Sequence, residues 1–267
     1  MRDGRRPVLA VYMAVLFAFL YLPIAILIVL SFNDSKLATV WRGFSLRWYE
    51  ELLHDGDVLR SIRTTLIIAL AATALSLVFG TLLAFGIERY TDSPALENSV
   101  FLPLLIPDLV TGIGLLSFFA AISLPLGSTT VIIAHSVWGT AFAAAIVRTR
   151  LRGLDRSIEE ASLDLGVREI PTFLRITLPV ISPGIVAAGL VVFTLSIDEF
   201  IIAYFTAGQT VTFPIQVYSM IRFGVTPEIN AVATIMLAFS MVLIVGAYLV
   251  ARPRPTRRVD SDPEAAA

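Results

Sequence analysis

The chain has 267 residues, no cysteine, two histidines and a formal net charge of −1. The lack of cysteine excludes disulfides and thiol chemistry, two histidines are too few for a histidine metal cluster, and the near-zero charge gives no footprint for nucleic acid. Hydrophobic residues make up 57% of the chain and its mean hydropathy is +0.82, above the roughly 45–50% apolar content of soluble domains, which places it among integral membrane proteins.

A spanning helix needs about 20 apolar residues, and six stretches qualify: about 8–31, 64–87, 99–123, 129–147, 180–206 and 229–251. The expected layout is a short N-terminal segment 1–7, an all-α six-span domain 8–251 and a polar, unstructured tail 252–267. The first apolar run, Val8 to Phe32, exceeds the ~7–15-residue core of a signal peptide, and no small-residue cleavage site follows. Segment 33–63 carries Trp41, Trp48 and Tyr49, residue types that favour the headgroup level. In the third span Pro103 and Pro107 precede Asp108, and Gly112 and Gly114 follow, a pattern that predicts a kink or break. His135 in the fourth span is expected to make one interhelical hydrogen bond. In the fifth, Asp198 and Glu199 lie past the midplane, and helical spacing puts Ser196 on the face of Glu199. Segment 207–228 reads as a short interfacial or re-entrant piece bearing Ile215, Val217 and Ile221.

Basic residues favour the cytoplasmic side. With the N-terminus inside, fourteen arginines fall on cytoplasmic segments and six basic residues on the others, so both termini are expected in the cytoplasm. The charge-dense stretch between the fourth and fifth spans is then cytoplasmic too. Ser157 and Glu160 have capping-box spacing, Ile158, Ala161, Ser162 and Leu165 recur on one face, and Gly166 stands where a left-handed stop belongs. A second short helix is expected from about Val167 to Ile176, with Pro179 and Pro183 opening the next span. The segment 155–178 therefore reads as a helical hairpin presenting a small apolar face, suited to docking a cytosolic partner.

Glu160-Ala161-Ser162, three residues, Gly166, nine residues, then Ile176-Thr177-Leu178-Pro179 resembles the signature of the permease subunits of ATP-binding-cassette importers, with Ser162 where alanine is usual. The resemblance implies a type I importer permease fold and a multi-pass place in a bacterial inner membrane. It implies that Glu160, Ala161, Ser162, Gly166, Ile176, Leu178 and Pro179 couple the chain to a cytosolic ATPase dimer. It also implies a second homologous permease, an extracytoplasmic substrate-binding protein and surrounding lipid as partners. The chain shows no G-x-x-x-x-G-K-[ST] loop, so it is expected to be no enzyme and to hold no cofactor, ATP being bound by the partner. The stretches "SFNDS", "WRGFSLRWYEEL", "FTLSIDEFIIAYF" and "FPIQVYSMIRFGVTPEINAVATI" are similar to the spermidine/putrescine permeases in particular.

Carboxylates inside spans are costly, about 2.5–3.5 kcal/mol for an Asp at a helix centre, and so point to function. Asp108, Ser196, Asp198 and Glu199, with Trp48, Tyr204, Tyr218 and Phe205 as aromatic walls, form the candidate track for a multivalent cation. A polyamine suits it, since each ammonium wants a carboxylate and each methylene chain an apolar wall. The competing structural reading is that these acids pair with a second membrane subunit. The same scaffold with ferric ion, thiosulfate, an opine or a phosphonate as cargo stays open, as do an ion-coupled secondary transporter and a non-transporting scaffold.

Overall fold

The computed structural model describes residues 5–35, 40–91, 93–223 and 227–251; the expected N-terminal segment lies mostly, and the expected tail wholly, outside them. Among the described residues the chain is helical, with a single isolated bridge between Asn33 and Phe44. Among the described residues five helices are long and apolar enough to cross a bilayer, and a bent pair makes a sixth if its two arms are one span.

Helix α1 (Arg5–Leu30) packs on the last helix but buries no residue of its most apolar window, so most of its apolar surface faces outward. The chain then folds into a compact turn before α2 (Arg47–His54). Asn33 organises this turn. Its side chain donates to the Val40 carbonyl and accepts from the N–H groups of Ser35 and Arg42, while its carbonyl accepts the Trp48 indole N–H at 2.7 Å.

Helix α3 (Gly56–Tyr90) starts eight residues before the expected span. Asp55 explains the extension: its carboxylate accepts the N–H groups of Asp57 and Val58, so the helix begins in polar sequence with its first donors satisfied. Its buried face is small: Ser61, Ala69, Ala72, Ser76, Gly80 and Ala84. That face lies against α6 (Ser128–Arg152), the most buried span. A Cβ at Gly80 would sit 2.6 Å from the Ala143 Cβ, and one at Gly139 would collide with the Ser76 Oγ. Small residues therefore set the α3–α6 distance, as expected where packing rather than water exclusion drives association.

Between them run α4 (Pro94–Phe101), a 3-10 turn at Leu102–Leu104 and α5 (Asp108–Ala121). The two arms of this third crossing meet at 103°, so the predicted kink is a full break. Pro107 is extended, with ψ 138°, and lends no N–H to a continuing helix.

After α6 come α7 (Ser157–Asp164), α8 (Glu169–Thr172), a π-helical segment at Phe173–Thr177 and α9 (Leu178–Asp198). Helical structure is continuous from Glu169 to Asp198. The expected second hairpin helix is thus the foot of the fifth span, and Pro179 falls in the first turn of α9 rather than opening a separate helix after a gap. The expected span 180–206 is in turn two pieces: α9 stops at Asp198, Glu199 is extended with ψ 108°, and α10 (Ile201–Thr206) restarts. Helix α11 (Phe213–Phe223) is the short piece expected in 207–228, and α12 (Pro227–Ala251) completes the bundle.

Candidate functional site

Two regions carry the predicted site residues, and they lie at different levels of the bundle. The hairpin is built first from Asp155. Its carboxylate accepts the Ser157 N–H at 3.0 Å, and this bond, with the Ser157 hydroxyl, holds the Asp155 carboxyl below its ordinary pKa. Helix α7 therefore starts one residue earlier than the spacing suggests. Arg156 takes the cap position and accepts the Glu160 N–H with its carbonyl, so the expected Ser157–Glu160 capping box does not form. The C-terminal stop is as read: Gly166 has φ +82°, its N–H reaches the Leu163 carbonyl, and the Val167 N–H reaches the Ser162 carbonyl. That is the Schellman pattern, which needs a left-handed residue at this place.

The apolar stripe splits. Ile158 and Ala161 are exposed and Leu165 is 85% exposed, whereas Ser162 turns inward, its hydroxyl sharing a 2.9 Å hydrogen bond with that of Thr172. Ile170 and Leu174 join the exposed apolar tip. Glu160 is also exposed, with only a 3.5 Å pair to Arg156. Ile176 and Leu178 are half-buried, and Pro179 is exposed.

Sequence reasoning missed the inward charge. Glu159, not Glu160, is the buried carboxylate. Arg89 donates to it from Nε at 2.7 Å and from Nη2 at 3.3 Å, and Thr177 donates at 2.7 Å. The available signal was the i, i+3 spacing that puts Glu159 and Ser162 on one face. A second missed network lies nearby: Arg148 of α6 donates to Glu88 of α3 at 2.8 Å and to Glu97 of α4 at 2.6 Å, with Arg152 close to both.

The second region joins the two helix breaks. A Cβ at Gly112 would lie 3.1 Å from Phe205, so α5 and α10 are in close contact. Asp108 in the first turn of α5 is within electrostatic reach of Glu199. Glu199 Oε1 accepts the Ile202 N–H at 2.8 Å and so caps α10. Asp198 Oδ2 accepts the Ser240 hydroxyl of α12 at 3.0 Å. Asp198 also lines a cavity of about 160 Å³ whose other walls include Thr65, Leu66, Phe213, Met236 and Phe239. Phe200, Tyr204 and Tyr218 form one ring cluster with centroids 4.9–5.9 Å apart, joined by Phe205 through Tyr204. Tyr204 and Tyr218 remain partly exposed.

Two predicted residues stand apart. Ser196 is buried and shares a 2.8 Å hydrogen bond with His135 Nδ1, the single interhelical bond expected of that imidazole. Because the helix ends at Asp198, Ser196 and Glu199 do not share a helical face. Trp48 is 6% exposed and packs in a core with Leu52, Val58 and Phe213. It does not itself line the Asp198 cavity, which shares Ile62, Phe213 and Met236 with that core, and its indole serves the Asn33 turn.

Residues 76–256 match the family described as binding-protein-dependent transport system inner membrane component. The chain is 41% identical over 252 residues to the putrescine transport system permease protein PotI of Escherichia coli (strain K12), covering 90% of each. It is 34% identical over 246 residues to the spermidine/putrescine transport system permease protein PotC of the same strain, covering 91% of this chain and 93% of that one. Among solved structures it superposes on a bacterial ABC transporter involved in the import of the acidic polysaccharide alginate, with TM-score 0.69 and 16% identity over 96% of this chain and 97% of that one. It also superposes on the MetNI methionine ABC transporter, with TM-score 0.61 and 17% identity over 76% of this chain and 96% of that one. At such identities these two likenesses speak for the fold alone.

Proposed function

The chain belongs to the family of binding-protein-dependent transport system inner membrane components, and from that premise we propose that it is a permease subunit of an ATP-driven polyamine importer. It is a multi-pass inner-membrane transport protein. Both termini and the hairpin face the cytoplasm, as the distribution of basic residues supports. A cytosolic ATPase dimer binds ATP and grips the exposed tip formed by Ile158, Ala161, Leu165 and Ile170. A second, homologous permease completes the pathway, and an extracytoplasmic binding protein delivers the cargo. Two packings separated by a few kcal/mol then suffice for alternating access.

The observation that carries the cargo assignment is the meeting of two helix breaks, each bearing carboxylate, beside a ring cluster. Ser240 engages Asp198, and the Ile201 and Ile202 N–H groups engage Glu199, which leaves each carboxylate lone pairs for an ammonium group. The cavity that Asp198 and Thr65 help to line presents an apolar surface, as a methylene chain requires. Tyr204 and Tyr218 offer faces to a cation, worth about 0.5–2 kcal/mol per contact. The likeness to PotI and PotC supports the same assignment. The test is uptake of radiolabelled putrescine and spermidine into vesicles holding the assembled transporter. Saturable, ATP-dependent uptake is expected. Uptake of ferric ion or an amino-acid derivative instead would reassign the cargo, and uptake that ignores ATP but follows the membrane potential would refute the importer itself.

A further inference from the structure

The hairpin joins the bundle through two covalent links and through side-chain contacts with the end of α3. Helix α6 enters it through 153–156, and α9 leaves it through the π-helical segment. Tyr90 donates to Glu169 at 2.9 Å and Phe85 meets Phe173 with ring centroids 4.6 Å apart, and the buried contact beside them is ionic. Glu159 is 7% exposed and turned away from the tip, and Arg89 in the last turn of α3 grips both its oxygens. The wholly buried Thr177, last residue of the π-helical segment, donates to the same carboxylate. One side chain thus gathers α3, the first turn of α7 and the foot of the fifth span. A buried pair of this kind is a weak source of stability, because desolvation offsets attraction. What it does supply is a fixed register, since the guanidinium fork fits a carboxylate in few ways. The exposed pair of Arg156 and Glu160 at 3.5 Å supplies neither.

We propose that Arg89 and Glu159, seated by Thr177, are positioning residues: a joint that makes α3 follow the hairpin when the hairpin is moved. The π-helical segment lies between the tip and α9, and its wider turn makes it the compliant point of the covalent path. The ionic joint bypasses it and loads the longest helix of the bundle directly, and α3 carries α6 through their close-packed small residues. This inference rests on the docking reading of the hairpin given above.

The experiment uses the transporter purified with its ATPase, reconstituted in vesicles, with putrescine as probe and uptake per ATP hydrolysed as readout. Glu159→Gln and Arg89→Ala should retain the ATPase and its hydrolysis while uptake per ATP falls at least about fivefold, the low end of couplings between sites. Thr177→Val should fall less, in the same direction. The chain has no cysteine, so Arg89→Cys with Glu159→Cys can be bridged by a short bifunctional thiol reagent. Bridging should return the coupling that the unbridged pair has lost, which a merely structural role would not do. Unchanged uptake per ATP in Glu159→Gln, or a bridge that restores nothing, overturns the joint. Loss of the ATPase from these variants overturns it too, because the pair would then only shape the docking face. An unmodified chain that retains no ATPase overturns the docking reading and the joint together.

Discussion

At the hairpin the chain closes its own helix ends: Asp155 serves the start of α7, Gly166 the stop, and Glu159 is matched by Arg89 and Thr177. What it turns outward is apolar, led by Leu165 and Ile170. At the twin breaks the arrangement is reversed. The walls are apolar and aromatic, and the polar groups, Asp198 and Glu199, keep acceptor capacity beyond the Ser240 hydroxyl and the first N–H groups of α10. An interruption with satisfied polar groups and a bare apolar face suits a protein partner. One with under-used carboxylates suits a cation. The same device, a broken helix, therefore serves two ligand classes according to which atoms are left over.

The most severe way to break this contrast is to remove the charge at the breaks. Asp198→Asn with Glu199→Gln preserves the carbonyl acceptors for Ser240 and Ile202, so the fold and assembly should survive. A hydrogen bond to a charged group is worth about 1.5–3 kcal/mol, so losing two should cut putrescine uptake at least about a hundredfold. Failure of the variant to assemble with a second permease would mean that the acids are structural. Next comes Leu165→Asp at the tip. Burying a leucine on a partner is worth about 1.5–3 kcal/mol, so retention of the ATPase should weaken about 10–100-fold. Thermal stability of the chain alone should not change, because Leu165 is 85% exposed.

The two regions also differ in how far the sequence shows them. Spans were visible because apolar runs of bilayer length have no other economical fate, and the break before Asp108 was visible because proline cannot continue a helix. Gly166 announced its left-handed turn. The end of α9 at Asp198 carries no proline and no glycine, and only the capping of α10 by Glu199 accounts for it. The partners of Arg89 and Arg148 lie 51–70 residues away, so no local spacing reveals them. The bond from the Ser157 N–H to Asp155 displaced the expected capping box, because it draws Ser157 into the helix and leaves the cap position to Arg156.

A milder change sharpens the contrast within the hairpin. Gly166→Ala meets no atom within 4 Å, so its whole cost is conformational. An L-residue in the left-handed region costs about 1–2 kcal/mol. Amide exchange over 157–167 should quicken about 5–30-fold, and ATPase binding should loosen by no more.

The smallest effect is expected from Ser162→Ala, which introduces the residue usual in the importer signature. It deletes one of two paired hydroxyls and leaves Thr172, itself buried, without that partner. A buried hydrogen bond of this type contributes about 1 kcal/mol, so the exchange of hairpin amides should quicken by less than in Gly166→Ala. ATPase retention and putrescine uptake should stay as in the parent, because Ser162 lies behind the tip and touches no outward face. If Ser162→Ala instead weakened ATPase binding more than Leu165→Asp, the inner face of the hairpin would be the one that docks. The assignment of apolar tip to partner and buried carboxylate to joint would then be inverted.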